Sequence, residues 1–171
     1  MRTLLAASIA SVALLAGCGK PAGSPTPDAP AEAESAFRWP DGDMLKVGSK
    51  FGATQETPSG LRWQQLSPGT GDAHPAPGDT VSAHYRGTFL DGTVFDESYK
   101  RGEPLRFPVG KGRVIKGWDE ALLQMTRGEK RLLVIPYWLA YGEAGAGGVI
   151  PPRASLVFEV ELLGWESATN Q

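Results

Sequence analysis

Apolar side chains recur at helical spacing within residues 113–125. Four of them lie three or four positions apart and therefore share one face of a helix. They are Trp118, Ala121, Leu122 and Met125. Gly117 loosens the start of this pattern, and Gly128 ends it just beyond the last periodic residue. Because so short a helix is marginal in water, we expect it to pack on another element.

Alternation of apolar and polar residues predicts strands on both sides of this helix. In residues 80–90 the apolar face consists of Val81, Ala83, Tyr85 and Phe89. Residues 155–163 alternate in the same way, and their apolar face consists of Leu156, Phe158, Val160 and Leu162. Both segments therefore predict strands with one face turned towards a core.

Shorter strand patterns complete a sheet. They fall at residues 61–66, 94–96, 105–109 and 130–135. The pair Asp91-Gly92 is typical of a tight hairpin turn between two of these strands. The expected fold class is α+β, a bent antiparallel β-sheet with one short α-helix packed across it.

The first residues of the chain are typical of a signal peptide. Arg2 precedes an apolar run over residues 4–15, which is too short to span a bilayer. Residues 15–18, Leu-Ala-Gly-Cys, resemble the lipobox of bacterial lipoproteins. The resemblance implies a lipoprotein signal peptide over residues 1–17, cleavage before Cys18 and attachment of lipid to that cysteine.

An ordinary signal peptide followed by an incidental cysteine is the alternative. Cys18 is the only cysteine of the sequence, which favours a modification and excludes an intramolecular disulfide. Gly19 follows it, in place of the aspartate that retains many lipoproteins at the inner membrane. We therefore expect a protein of the bacterial cell envelope, lipid-anchored at the outer membrane and facing the periplasm.

Proline, alanine, glycine and serine dominate residues 18–36, which predicts a flexible tether. Residues 37–56 are too apolar for a linker but show no sustained period, so we expect an extension that docks loosely on the domain. Whether it adds a strand stays open. It is too short and too rich in glycine and aspartate for a long dimerising helix, which favours a monomer. The globular domain is expected at residues 57–166, with a C-terminal tail at 167–171.

Charge and motif content exclude several kinds of function. The net charge is −2 and no basic stripe suggests nucleic acid. His74 and His84 have no histidine or cysteine partner at metal-binding spacing, so no metal site is expected. Gly110-Lys111-Gly112 looks like a nucleotide loop but lacks the third glycine and a following parallel unit. The usual patterns of hydrolases, kinases and dehydrogenases are missing, and no cofactor is expected.

The remaining candidates for chemistry are aromatic residues that lie in separate segments of the chain. They are Tyr85, Phe95, Phe107, Trp118, Tyr141 and Phe158. A glycine-rich loop over residues 140–152 ends in Ile150-Pro151-Pro152. Loops of this length in a compact domain tend to be functional.

The order and spacing of several motifs resemble the FKBP family of peptidyl-prolyl isomerases over residues 57–166. These motifs are Val81 to Tyr85, Phe95-Asp96, Val114 to Trp118, Ala140-Tyr141-Gly142, Ile150-Pro151-Pro152 and Leu156 to Leu163. The resemblance implies a bent antiparallel sheet wrapped around a short helix, in agreement with the patterns above.

The resemblance also implies the site. Its floor would be the indole of Trp118, its walls would be aromatic and aliphatic, and Ile115 would offer its backbone N–H to the bound chain. The catalytic candidates are Tyr85, Phe95, Asp96, Trp118, Tyr141 and Phe158. The substrate-binding candidates are Leu105, Phe107, Val114, Ile115, Ile150 and Arg101. Leu105 departs from the family, which often has an aromatic residue there.

The implied activity is cis/trans isomerisation of X–Pro bonds in unfolded segments of exported proteins, without covalent chemistry or cofactor. Such a pocket would also bind macrolide inhibitors. Two alternatives stay open. One is a peptide-binding holdase with little catalysis, for which Leu105 is the sequence hint. The other is a structural or adhesion lipoprotein in which the domain is a spacer.

Overall fold

The computed structural model describes residues 38–168. The predicted signal peptide, Cys18 and tether therefore lie outside the described residues, as do Phe37 and the last three residues of the predicted tail. Within residues 38–168, no helix is long and apolar enough to cross a membrane.

One antiparallel sheet dominates the described residues. Its seven strands are β1 (Gln55–Glu56), β2 (Arg62–Ser67), β3 (Thr80–Phe89), β4 (Val94–Glu97), β5 (Leu105–Pro108), β6 (Lys130–Ile135) and β7 (Leu156–Glu166). The strand order is β1-β2-β6-β7-β3-β4, and β5 also pairs with β3. The predicted antiparallel α+β fold class is confirmed.

The longest ladder joins β3 to β7, and its register brings Gly87 opposite Phe158. The other edge of β3 is divided between two partners. Residues 80–83 pair with β5, whereas residues 86–88 pair with β4. The predicted hairpin connects β3 to β4, and the Thr93 N–H donates to Asp91 Oδ1 at 2.8 Å to close its turn. Residues from β4 and β5 are thus placed beside one another along a single strand.

The predicted amphipathic helix is present as α2 (Lys116–Leu122). It is shorter than the apolar pattern indicates, because residues 123–125 continue as tight turns in which Gln124 N donates to the Ala121 carbonyl at 3.0 Å. Met125 is nevertheless fully buried. Gly117 has a different role from the one expected. A Cβ there would lie 2.7 Å from Ile135 Cγ2, so glycine permits the helix to approach β6 closely.

A second helix, α1 (Asp41–Phe51), lies in the extension that showed no sustained period. It packs by Val47, which is fully buried, on Leu132, Val134 and Val157 of the sheet. The partners of Val47 on the helix are Met44 and Phe51. The sequence does not predict this helix, because only these three apolar residues mark its buried face, among glycine, serine and lysine.

The extension is fixed by polar contacts as well. Trp39 Nε1 donates to the Gly60 carbonyl at 3.0 Å, and Lys50 Nζ donates to the Leu90 carbonyl at 3.0 Å. Strand β1 pairs with β2, which answers the question of an added strand. Apolar side chains cover β6 and the start of β7 on both faces, since α2 and α1 contribute to two separate core clusters.

A buried ion pair lies at the start of β6 and is bonded to the chain that follows α2. Arg131 Nε donates to Glu129 Oε1 at 2.6 Å, and Arg131 Nη2 donates to the Gln124 carbonyl at 2.8 Å. The Thr126 N–H and Gln65 Nε2 also donate to Glu129. Because these bonds satisfy both charges, they hold the chain after α2 without leaving a buried charge unpaired.

Candidate active site

A cavity of about 520 Å³ lies against the first turn of α2. Its size is in the range of ordinary small-molecule and peptide pockets. Its wall is formed by β3, β4, β5, β7 and the loops before α2 and after β6. The lining residues are Tyr85, Phe95, Asp96, Leu105, Gly112, Arg113, Val114, Ile115, Lys116, Trp118, Ala140, Tyr141 and Phe158.

The indole of Trp118 is the most deeply buried aromatic ring of this wall, with 3% of its surface exposed. The rings of Tyr85 and Phe158 meet it edge-on, at centroid distances of 5.0 and 5.4 Å and interplanar angles of 82° and 84°. Edge-to-face packing is a preferred geometry for aromatic pairs, so it stabilises this arrangement of the three rings. Trp118 Nε1 is buried without a hydrogen-bond partner among the described residues, and the ring packs within the main apolar core cluster.

Gly87 allows the rings of Phe95 and Phe158 to pack directly against the backbone of β3. A Cβ at this position would lie 2.7 Å from Phe95 Cζ and 2.8 Å from Phe158 Cε1. The two phenylalanine rings stand perpendicular at 5.6 Å. Gly87 was not among the candidate residues, although a lone glycine inside an alternating strand is a known sign of close approach by another group.

One carboxylate is held at the rim by two donors. The Tyr85 hydroxyl donates to Asp96 Oδ2 at 2.5 Å, and Arg101 Nη1 donates to Asp96 Oδ1 at 2.5 Å. Arg101 Nη2 also donates to the Tyr85 hydroxyl oxygen at 2.7 Å. The three side chains thus form a closed cycle, which fixes the carboxylate and the phenol relative to each other.

This cycle sets the ionisation of its members. Burial opposes ionisation of Asp96, but the hydrogen bonds from Tyr85 and Arg101 outweigh burial, and the pKa of the Asp96 carboxyl falls below its usual value. Burial, followed by the bond to Asp96, raises the pKa of the Tyr85 phenol. At neutral pH the carboxylate is therefore charged and the phenol is neutral.

Tyr141 stands on the loop that follows β6 and is 42% exposed. The Gly142 N–H donates to the Tyr137 carbonyl at 2.8 Å and fixes the backbone beside it. Within the described residues, the Tyr141 hydroxyl has no hydrogen-bond partner. Burial and the nearby Asp96 charge raise its pKa, so the hydroxyl keeps its proton at neutral pH. It is a free donor at the mouth of an apolar cavity.

The chain before α2 supplies a second donor. Ile115 has extended backbone, and its carbonyl accepts the Trp118 N–H at 3.0 Å. Its own N–H makes no backbone hydrogen bond among the described residues. Asp119 fixes the preceding loop, because its two carboxylate oxygens accept the N–H groups of Gly110 and Gly112 at 2.8 and 2.9 Å.

A sequence model described as FKBP-type peptidyl-prolyl cis-trans isomerase matches residues 71–163, more than half of the chain. The chain belongs to this family. The FKBP-type domain is a peptidyl-prolyl cis-trans isomerase, as its similarity to curated isomerases at about 50–60% identity also shows.

Named relatives extend the comparison. "Peptidyl-prolyl cis-trans isomerase FPR2" of Saccharomyces cerevisiae is 60% identical over 93 residues, which are 54% of this chain and 69% of the relative. "FK506-binding protein 2" of Yarrowia lipolytica is 54% identical over 100 residues, 58% of this chain and 69% of the relative. The crystal structure of FkpA from Escherichia coli has a TM-score of 0.66 and 43% identity, over 74% of this chain and 58% of that chain.

Nine of the twelve candidate residues line the cavity of this FKBP-type domain. Three do not. Phe107 lies behind the floor, with its ring 6.0 Å from that of Trp118. Ile150 is buried in the core beside the loop, where its N–H donates to the Ala146 carbonyl at 2.9 Å. Arg101 donates hydrogen bonds to Asp96 and Tyr85, so these three residues support the wall instead of forming it.

Four lining residues were not among the candidates. They are Gly112, Arg113, Lys116 and Ala140. Lys116 and Ala140 lie inside motifs that were recognised, and Gly112 and Arg113 directly precede one, so membership of those motifs or proximity to them was the available sign. The residue types of Arg113 and Lys116 did not indicate a site, since exposed arginine and lysine are usually solvated surface residues. Within residues 38–168, no group of histidine, cysteine and acidic side chains is placed to hold a metal ion.

Proposed function

We propose that this FKBP-type isomerase turns X–Pro bonds of exported polypeptides in the cavity around Trp118, while anchored by lipid at Cys18 to the bacterial cell envelope. The observation that carries the proposal is an apolar aromatic cavity with two free hydrogen-bond donors at its edge.

Rotation about an X–Pro bond faces a barrier of about 18–20 kcal/mol, which arises from amide resonance. The planar amide is charge-separated and the twisted amide is less so. Transfer from water to an apolar cavity therefore favours the twisted form relative to the planar one. No bond breaks, so the reaction needs neither a nucleophile nor a metal. The perpendicular rings around Trp118 are suited to grip a proline ring.

The two free donors would hold the carbonyl groups that flank the rotating bond. The Tyr141 hydroxyl and the Ile115 N–H come from different loops on the cavity wall. Fixing both ends of a short peptide segment restricts it to conformations near the twisted state. Asp96 has a different role, because its bonds to Tyr85 and Arg101 make it a positioning group rather than a proton donor or acceptor.

The proposed location rests on the N-terminal sequence. Residues 1–17 have the pattern of a lipoprotein signal peptide, and Cys18 follows it. The tether after Cys18 could extend on the order of 50 Å from the membrane. Gly19 favours the outer membrane, with the domain in the periplasm. The exported, unfolded proteins of that compartment would be its proline-containing substrates, and the enzyme would act as a monomer.

A macrolide would occupy the same cavity. One relative is named as an FK506-binding protein, and nine of the residues implied by the family resemblance line the cavity here. Leu105 stands where the family often has an aromatic ring, so we expect the affinity of a macrolide to differ from that of relatives that carry this ring.

A protease-coupled assay on a proline tetrapeptide tests the activity, with the full-length chain in detergent micelles at micromolar concentration. We expect a rate above the thermal background that a macrolide suppresses. Absence of any excess rate would refute isomerisation in this cavity. A holdase would instead prevent aggregation of proline-free clients, and a spacer would show no saturable macrolide binding.

A further inference from the structure

Two cations stand on the cavity wall. Three lining residues carry a formal charge at neutral pH, namely Asp96, Arg113 and Lys116. Both cations are exposed to solvent. They flank Ile115, whose N–H is one of the two free donors. The wall beside that donor therefore has an excess of positive charge.

Nearby carboxylates do not pair with these cations. Asp96 is bonded to Arg101 at 2.5 Å, which compensates its charge. Asp119 lies in the same segment, but both its oxygens accept backbone N–H groups. Across the described part of the chain, no ion pair involves Arg113 or Lys116.

The loop that carries the other free donor, the Tyr141 hydroxyl, has no comparable excess of charge. Glu143 follows Tyr141 and pairs with Arg153 Nε at 3.2 Å. The acid and the base on this loop therefore offset each other. The positive excess belongs to one side of the cavity, around Ile115.

We propose that Arg113 and Lys116 give the enzyme a preference for X–Pro segments that carry an acidic side chain next to the proline. Consecutive Cα atoms are about 3.8 Å apart, so a peptide bonded to the Ile115 N–H has its neighbouring side chains within reach of both long cationic side chains. Coulomb attraction between exposed groups is modest and is weakened by salt. The effect is therefore one of selectivity among substrates rather than of catalysis.

The test uses capped tetrapeptides with glutamate, glutamine or lysine before proline, and a second series with the same residues after proline. NMR exchange spectroscopy measures the isomerisation rate without a protease, with the full-length chain in detergent micelles. In at least one of the two series we expect kcat/KM to be about threefold to tenfold higher for the glutamate peptide than for the lysine peptide. At 1 M salt, where the Debye length is about 3 Å, this ratio should fall towards one.

The double variant Arg113→Gln with Lys116→Gln should bring the ratio close to one even at low salt. The matched control is Lys46→Gln, which removes an exposed cation from α1 on the opposite face of the sheet. It should leave the ratio unchanged. The proposal is overturned if the wild type has a glutamate-to-lysine ratio of kcat/KM of one or below in both series. It is also overturned if the double variant keeps the wild-type ratio.

The preference rests on the proposed function, and the experiment separates the two. If no peptide of either series is isomerised, isomerisation in this cavity is refuted and the preference falls with it. If all peptides are isomerised at equal rates, the proposed function stands and the charge preference is refuted.

Discussion

The Tyr85 hydroxyl donates a hydrogen bond of 2.5 Å to the Asp96 carboxylate, across the neighbouring strands β3 and β4. Eleven residues separate them along the chain, and the hairpin at Asp91 and Gly92 brings them together. Arg101 completes the cycle by donating to both. We expect no role as a general acid or base for a carboxylate bonded in this way, which has consequences for the pH dependence of the enzyme.

The rate of isomerisation should be independent of pH between about 5 and 9. The pKa of Asp96 lies below its usual range, and the pKa values of the Tyr85 and Tyr141 phenols lie above theirs. None of these groups titrates in that interval. A pH profile of kcat/KM on a neutral peptide checks this, and a bell-shaped curve centred near neutrality would show that a proton transfer contributes.

The same pKa shift predicts how Asp96 affects folding. Its pKa in the folded state is lowered, so its contribution to stability is fully present above the usual aspartate pKa and is lost as the pH falls through the lowered value. Urea unfolding of the wild type and of Asp96→Asn should therefore differ at pH 7. The difference should shrink progressively in strong acid; a difference that grows with acidification would contradict the shift.

Replacing Tyr141 by phenylalanine should lower kcat/KM about fivefold without a change in melting temperature. The hydroxyl has no protein partner among the described residues, so its removal costs no folding energy, whereas loss of one hydrogen bond to substrate costs about 1 kcal/mol. Tyr99→Phe is the control, because Tyr99 is similarly exposed and donates to Glu161 away from the cavity. Equal activity of wild type and Tyr141→Phe would remove the hydroxyl from the mechanism.

Truncation of Trp118 to alanine should reduce both stability and activity. A core indole typically contributes about 3–5 kcal/mol, and this one also forms the cavity floor. Trp39→Ala removes a comparably buried indole on the opposite face of the sheet, at 6% exposure. Both variants should melt earlier. At a temperature where both remain folded by circular dichroism, only Trp118→Ala should lose isomerase activity.

An alanine at Gly87 should narrow the cavity. Its Cβ would lie within 3 Å of both Phe95 and Phe158, which must shift to accept it. Overpacking of this kind costs about 1–3 kcal/mol, and the shifted rings should raise KM. Gly48→Ala is the matched control in α1, where nothing lies within 4 Å of the added methyl group. It should leave activity unchanged and stabilise the helix by up to about 1 kcal/mol.

Cys18→Ala should release the protein from membrane fractions. The proposed anchor depends on lipid attached to this cysteine. Fractionation of cells that express the wild type or the variant measures this, with Cys18→Ser as a second variant. Retention of both variants in the membrane fraction would exclude lipidation at residue 18 as the anchor.

The sequence predicted the parts of the site that belong to local patterns. Trp118 stood on an apolar helical face, Tyr85 and Phe158 on apolar strand faces, and Asp96 after a hairpin. The sequence did not distinguish lining residues from supporting ones. Phe107 and Phe95 are both aromatic residues in short strands, yet Phe107 packs behind Trp118 and Phe95 faces the cavity.

The sequence by itself determined strands β2 to β7 and α2, because alternation and helical spacing fix which side chains share a face within one element. The tertiary structure decided which faces meet. It placed β4 and β5 on one edge of β3, α1 on the outer face of the sheet and Arg113 and Lys116 at the cavity. These outcomes depend on contacts between distant segments, which a periodic pattern does not encode. The cavity is therefore a property of the assembled sheet and helix rather than of any one motif.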